Sequence, residues 1–540
     1  MARSQSPSER TALISRPGSP EREYATGLRK TLIVWTTMVS FFLTSLDMTI
    51  VATCVPTISS ELNSFDREPW IGTAYLWSSV TFTPLYGRLA DILGRRVSYL
   101  QALLLFTIGT FFCGFAPSFN FLILARFIAG MGGGGVGTVS NIIMVESFSK
   151  ADMGFYQGVS FATFGAGLGL GGPVGGWLTQ HFGWRAAFYA QVPISAALLV
   201  IAPLCVEQKE KASYSIEKLK EIDFGGSFTL LVSIGAFLLL LERSAADINL
   251  WQDATAITAA SVAFAAFVAF IVIELKFARK PILPLSFLTR RVQLCVGMIA
   301  GTIAVVNFNM MYHLPMVFEV VFKQSLSEAG AHLIPNSIAM TVVAPLVGLY
   351  VKKSKRYQKA MLLFALGPIV AMLLLIDLKP GASWAHQWLS VLPMGAGFNG
   401  ILTLNLIANL NTIDESEIAI ATGYISLWRS VGQVFGVGLS GAVFQNSLAV
   451  YLSERFTSEK LLAKLRRSTH EIPLLSEKKQ ALAREAYQFA LRNTFILGLV
   501  GAVFVLLTTL AIPDRPLADA DADAKVAEAE AEAYAETEEV

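Results

Sequence analysis

Fourteen runs of about 18 to 28 residues dominated by apolar side chains divide this chain, and nothing else in it restricts the fold so tightly. They fall at 32–53, 70–88, 98–116, 121–145, 155–179, 186–206, 224–241, 254–274, 294–318, 330–351, 360–377, 387–411, 419–446 and 493–512. An α-helix rises 1.5 Å per residue, so about 20 residues cross a hydrocarbon core roughly 30 Å thick. In lipid every backbone N–H and C=O must be paired within the protein, which a helix achieves segment by segment. The expectation is an all-α integral membrane protein with fourteen spanning helices in a lipid bilayer. Composition agrees, because only 15% of the 540 residues are charged against about 25% in soluble domains.

The charges exclude other classes. Net charge is +2 and the bases are scattered between apolar runs, so no nucleic acid is expected as a partner. Cys54, Cys113, Cys205 and Cys295 lie far apart in or beside apolar runs, which suggests neither a disulfide framework nor a metal site, and no cofactor is expected. No metal cluster, nucleophile elbow or phosphate loop points to an enzyme.

Lys and Arg accumulate in cytoplasmic loops. With the N-terminus inside, cytoplasmic segments hold 26 of them and the six short outer loops five, which places both termini in the cytoplasm. Residues 447–492 break the pattern with nine bases on the outer face, where SEKKQALAREAYQFALRN reads as an amphipathic helix. The N-terminal tail, 1–31, lacks the apolar segment of a cleaved signal and is rich in Ser, Pro and Arg, while 513–540 alternates Ala with acids. Both tails are expected to be disordered. Glu9, Leu13 and Ile14 form E-x-x-x-L-I, which resembles an acidic dileucine signal for a sorting adaptor and is equally compatible with an uninterpreted tail.

Between the second and third runs stands GRLADILGRR. Its glycines allow a tight turn, and Asp91 is expected at a helix N-terminus, paired with arginines. With Gly87, Leu89, Asp91, Gly94, Arg95 and Arg96 in register, the segment is similar to the loop signature of the major facilitator superfamily. The resemblance implies two parallel six-helix bundles latched on the cytoplasmic side by this cluster. A decayed echo, GLYVKKSKR, places Gly348 at the Gly87 position, Lys352 at Asp91 and Arg356 at Arg95. Counting from the two copies gives bundles at 32–206 and 294–512, with 207–293 a linker carrying two extra helices.

The fifth run contains GAGLGLGGPVGG, where glycine permits backbone contact between helices and proline permits bending. Gly172, Pro173, Gly175 and Gly176 resemble the antiporter signature of drug and proton exchangers. SLDMTIVATCVP, LARFIAGMGGG and ATGYISLWRSVGQVFG resemble further motifs of the fourteen-helix drug and proton antiporter branch, through Asp47, Arg126, Gly130, Gly423, Arg429, Gly432 and Gly436.

Three membrane runs each hold one ionisable residue that neither pattern nor helix end explains: Asp47, Arg126 and Arg429. Asp47 lies about 22 Å from the cytoplasmic edge, which leaves about 8 Å to the outer edge, and Arg126 enters from outside to about the same depth. Proton uptake on Asp47 would weaken its pairing with Arg126 and let a cavity change state, whereas a permanent salt bridge would merely permit burial; both readings stand at this level. Tyr75, Trp77, Asn307, Asn309, His313, Asn399, Asn405, Asn409, Trp428 and Gln433 are candidates for cavity lining, and His313, Glu319 and His332 either relay protons or are ordinary loop-edge polars.

A secondary transporter exchanging a small-molecule substrate for protons fits these features best. A receptor or sensor would explain the spans but not the repeated loop motif. VGQVFGVGLSGAVFQN and the E-x-x-x-L-I tail look like fungal vacuolar basic amino acid permeases, which implies movement of Lys, Arg or His into the vacuole; efflux of drugs or metabolites across the plasma membrane is the alternative.

Overall fold

The computed structural model describes residues 27–206, 223–246, 253–277, 285–413 and 418–514, apart from residues 63, 65, 66, 68, 149, 457 and 468. Glu9, Leu13 and Ile14 therefore lie outside the described residues, as does nearly all of the acidic tail. Among those described there is no strand.

The first group of helices is α1 Gly27–Glu61, α2 Pro69–Leu93, α3 Arg95–Phe115, α4 Phe119–Ser147, α5 Lys150–Phe182 and the broken pair α6 Trp184–Tyr189 and α7 Val192–Cys205. A hairpin follows, α8 Phe224–Ala246 and α9 Ala254–Lys276, then a short α10, Leu285–Thr289. The second group is α11 Arg291–Met316 with a π-helical extension Val317–Val321, α12 Leu326–Ala331, α13 Ile334–Ser354, α14 Gln358–Ile376, α15 Trp384–Leu389, α16 Leu392–Leu410, α17 Ile418–Ser453, α18 Glu459–Arg467 and α19 Glu477–Leu510.

Local chemistry sets several boundaries. Gly94 at φ 87° and Gly183 at φ 82° turn the chain where a side chain would be strained. Ser118 caps α4 by accepting from the Phe121 N–H, Asp253 caps α9 through the Thr255 N–H at 2.8 Å, and Ser325 with Glu328 forms a reciprocal capping box. Pro193 opens α7 after the turn at Ala190 and Gln191.

Among the described residues, twelve segments are long and apolar enough to cross a membrane. The expected runs at 70–88 and 155–179 form α2 and α5, which are as long but are not among the twelve, so length and hydropathy do not establish a count of fourteen. Their polarity has a packing reason. α5 lies against α1 on one side and α13 on the other, and α2 lies between α4 and α17, so both meet protein where a lipid-facing helix would need apolar side chains. The most enclosed segments are those of α1, α11 and α16, whereas α9 is the least enclosed, held to α8 by the Ser233 hydroxyl on the Ala263 carbonyl at 3.0 Å.

SEKKQALAREAYQFALRN is helical from Glu477, with Lys478, Lys479 and Glu485 exposed and Ala483, Ala486, Tyr487 and Ala490 buried, and it runs on without a break through α19 to Leu510, so the helix expected to span from 493 begins earlier. At the opposite face the echo turn after α13 holds the end of α19. Arg356 meets Asp514 at 3.2 Å, and Gln358 donates to the Ile512 carbonyl at 2.7 Å.

Candidate functional site

Asp47 and Arg126 meet inside the first group. The α4 glycines make the approach: a Cβ on Gly130 would strike the Tyr75 carbonyl, and one on Gly133 the Tyr75 hydroxyl, so α4 closes on α2 backbone to backbone. Arg126 is thereby carried over the Tyr75 ring, 4.5 Å from its centroid. Its Nη1 donates to Asp47 Oδ2 at 2.6 Å, its Nε to the Ile71 carbonyl at 3.1 Å and its Nη2 to the Asp47 carbonyl at 3.4 Å. The other carboxylate oxygen, Oδ1, accepts from Gln191 Nε2 at 3.2 Å. Asp47 is 0% exposed and Arg126 1%, so the pair is sealed, and a sealed pair persists only when its remaining polar atoms are satisfied.

The equal depths read from the sequence thus correspond to contact. Gln191 and the Ile71 carbonyl were not foreseen. The first had a signal, an amide beside Val-Pro within an apolar run. The second had none, because a backbone carbonyl carries no residue identity.

Arg429 stands apart. It lies in α17 with its guanidinium 5.6 Å from the ring of Phe164, a residue of α5 in the other group. The structure gathers Asp47 and Arg126 into one site and leaves Arg429 outside it.

The residues expected to line a cavity are mostly committed to helix contacts. Tyr75 covers Arg126. Trp77 turns outward, its indole donating to the Leu231 carbonyl of α8 at 2.8 Å in a space left by Gly235. Asn309 donates to the Thr494 carbonyl, Asn405 to Val296, Asn399 to Met340 and Asn409 to Ala421, so each joins two helices of the second group. Asn307 faces the Met311 sulfur one turn on, and Trp428 lies against Gly297 and Gly301 of α11. His313 is bound through Nδ1 to the Asn309 carbonyl beside Phe444, and His332 is stacked on Phe318 with Nε2 on Gln324, so the two are held in separate settings. Gln433 is buried, one turn beyond Arg429.

The Gly94 turn departs from expectation in two ways. Asp91 lies in the last turn of α2, not at a helix N-terminus, because the chain turns only at Gly94. Arg95 reaches back across that turn to Asp91 at 3.0 Å and sideways to Glu146 of α4 at 2.7 Å, while Arg88 stands 4.0 Å from Asp91. The partners of this cluster among the described residues belong to the first group, so it ties α2, α3 and α4 together and does not bridge the groups. Glu146 was missed because it stands one residue past the end of the apolar run at 121–145. Gly87 lies against Thr138, and Arg96 is half-buried.

In α5 the glycine stripe has two faces. A Cβ on Gly171 would meet Thr49 and Ile50 of α1, and one on Gly175 would come within 2.5 Å of the Ile50 carbonyl. Gly172 faces Gly330 and Gly169 faces Ser337, both in the second group. Pro173 interrupts the stripe within the helix and Gly176 is buried. Thr49 donates to the Leu168 carbonyl at 2.7 Å and Thr53 to Gly172 at 3.2 Å, which pins α1 along the same seam.

Comparison with known proteins adds three findings. The profile described as Major Facilitator Superfamily matches residues 37–437. The chain is 34% identical to Multidrug resistance protein fnx1 of Schizosaccharomyces pombe over 91% of this chain and 93% of that protein, and 30% identical to Vacuolar basic amino acid transporter 1 of Saccharomyces cerevisiae over 80% of each. The fold is shared with a bacterial homologue of the human lysosomal transporter Spinster in an inward-facing, occupied conformation, with a TM-score of 0.57 and 16% identity over 90% of this chain and 97% of that one.

Proposed function

This chain belongs to the major facilitator superfamily, and from that premise we propose that it exchanges protons for basic amino acids, loading lysine, arginine or histidine into a fungal vacuole. Fourteen spans with both termini in the cytoplasm go with this reading, α2 and α5 crossing although their polarity sets them apart. The observation that carries the proton-coupled part is the sealed Asp47–Arg126 pair. A carboxylate held by a guanidinium and an amide inside a helix bundle is a site whose neutralisation would loosen α1 from α4, while Arg126 keeps its bond to the Ile71 carbonyl of α2. The amino acid substrate is supported by likeness to a vacuolar basic amino acid transporter.

The test is uptake of radiolabelled lysine into vacuolar vesicles acidified inside. Saturable uptake that collapses with the pH gradient, and is absent with Asp47→Asn, is expected. Uptake that ignores the gradient would sink proton coupling.

A second reading, drug or metabolite efflux at the plasma membrane, is favoured by likeness to a multidrug resistance protein. A fluorescent C-terminal fusion separates the two, by labelling either the vacuolar rim or the cell periphery.

A further inference from the structure

Of the three charged groups in the membrane runs that no helix end explains, Asp47 and Arg126 neutralise one another, and Arg429 has no such partner among the described residues. Among the described residues no carboxylate is paired with it, and its Nε is buried without a hydrogen-bond partner. An aromatic ring lies beside it: Cζ is 5.6 Å from the centroid of Phe164. Arg429 is eleven residues into α17, about 16 Å from the Ile418 end, so its side chain is too short to bring the charge back to water there. An uncompensated cation at such a depth is costly, and costly groups in membrane interiors are retained for a task.

The surroundings indicate which task. Gln433 is one helical turn away on the same side of α17 and only 4% exposed. Phe164 comes from the opposite group, and the next residue, Gly165, lies against Met340 and within 3.3 Å of the Asn399 amide nitrogen by its projected Cβ. The guanidinium of α17 therefore faces a ring of α5, on the seam between the groups, with α13 and α16 packed beside the next residue of α5. A guanidinium fork matches a carboxylate in plane, with two parallel N–H donors, and an aromatic face beneath it fixes that plane.

We propose that Arg429 receives the carboxylate of the transported solute, with the Gln433 amide as an additional donor. This rests on the reading of the substrate as an amino acid and extends it. Lysine, arginine and histidine differ in their side chains and share the α-carboxylate, so one fixed cation recognises the common end of all three. It also accounts for a cationic residue in a site for cationic solutes. The solute adds the missing counter-ion and joins α17 to α5 across the seam, so binding and the relative movement of the groups are linked.

The experiment is competition against labelled lysine uptake in vacuolar vesicles, using lysine, lysinamide and 1,5-diaminopentane, which carry a carboxylate, a carboxamide and neither. In the unaltered protein lysine is expected to compete best. Arg429→Gln is expected to raise the KM for lysine roughly 10- to 100-fold, the loss for a hydrogen bond to a charged group, and to bring lysinamide level with lysine. Arg429→Lys, which keeps the charge without the fork, is expected to restore part of the discrimination. Where Arg429→Gln does not reach the membrane, the purified Arg429→Lys and Gln433→Leu proteins supply the readout: the rise in Tm caused by lysine shrinks more than that caused by lysinamide. Discrimination unchanged in Arg429→Gln overturns the proposal, as does an unchanged lysine-dependent Tm in both purified variants. Failure of the unaltered protein to move lysine at all is a different result, which removes the vacuolar reading itself.

Discussion

The Tyr312 hydroxyl, on α11 of the second helix group, donates to the Met48 carbonyl of α1 in the first at 3.1 Å. Met48 follows Asp47 directly. Tyr312 also covers Gly72, where a Cβ would stand 2.9 Å from its hydroxyl, and Gly72 follows Ile71, whose carbonyl Arg126 binds. This contact between the groups is thus one residue removed from the ion pair on both α1 and α2. Removal of the hydroxyl alone, in Tyr312→Phe, is expected to loosen that face. A hydrogen bond contributes about 0.5–1.5 kcal/mol, so thiol labelling of Met48→Cys in a background lacking the four native cysteines should quicken roughly 2- to 10-fold. Unchanged labelling would show that the contact does not restrain the groups.

The ion pair itself predicts strong coupling. Arg126→Gln leaves Asp47 buried with only Gln191 as donor, and removing one partner of a buried pair costs about 3–5 kcal/mol. Asp47→Asn combined with Arg126→Gln leaves no uncompensated charge and should be less destabilising than the sum of the single changes. Thermal unfolding in detergent of the two single variants and the double variant measures the coupling. Additive losses would mean that the pair is not an energetic unit.

Gln191 supplies the second bond to the Asp47 carboxylate. Gln191→Leu keeps the volume and removes the donor, so a loss of about 1.5–3 kcal/mol is expected. Gln191→Ala adds a cavity and should lose more. Equal stability of Gln191→Leu and the unaltered protein would reduce the amide to a space filler.

The two faces of α5 separate folding from transport. Gly171→Val forces α5 away from Thr49 and Ile50 within one group, and is expected to lower yield and Tm. Gly169→Val meets Ser337 across the seam, so it should leave Tm nearly intact while arresting uptake. The reverse ranking would place the moving seam elsewhere.

At the face where α1 ends, Glu61 accepts from Arg185 Nη1 at 2.6 Å and from Trp184 Nε1 at 2.7 Å. The Arg185 bond, and after it the Trp184 bond, hold its carboxyl below the ordinary value of 4.5. A carboxyl lowered by folding stabilises above its unfolded value and loses that contribution as pH falls through the folded one. The difference in Tm between the unaltered protein and Glu61→Gln should be present at pH 6–7 and narrow below pH 4.5. A difference that grows on acidification would contradict the sign.

Sequence alone determined what depends on distance along one helix. The apolar runs, the turn at Gly94, the glycine stripe of α5 and the shared depth of Asp47 and Arg126 all follow from a fixed rise per residue and from the φ that glycine permits. Tertiary packing decided what depends on direction around a helix. Trp77 faces α8 and not a cavity, Asn309 and Asn405 are spent on neighbouring backbone, Arg95 finds Glu146, and Arg429 is left facing Phe164 with no carboxylate paired to it among the described residues. Depth is a property of the segment. Azimuth is set only when every other helix has taken its place, because the partner of a side chain is whatever surface those helices bring to it.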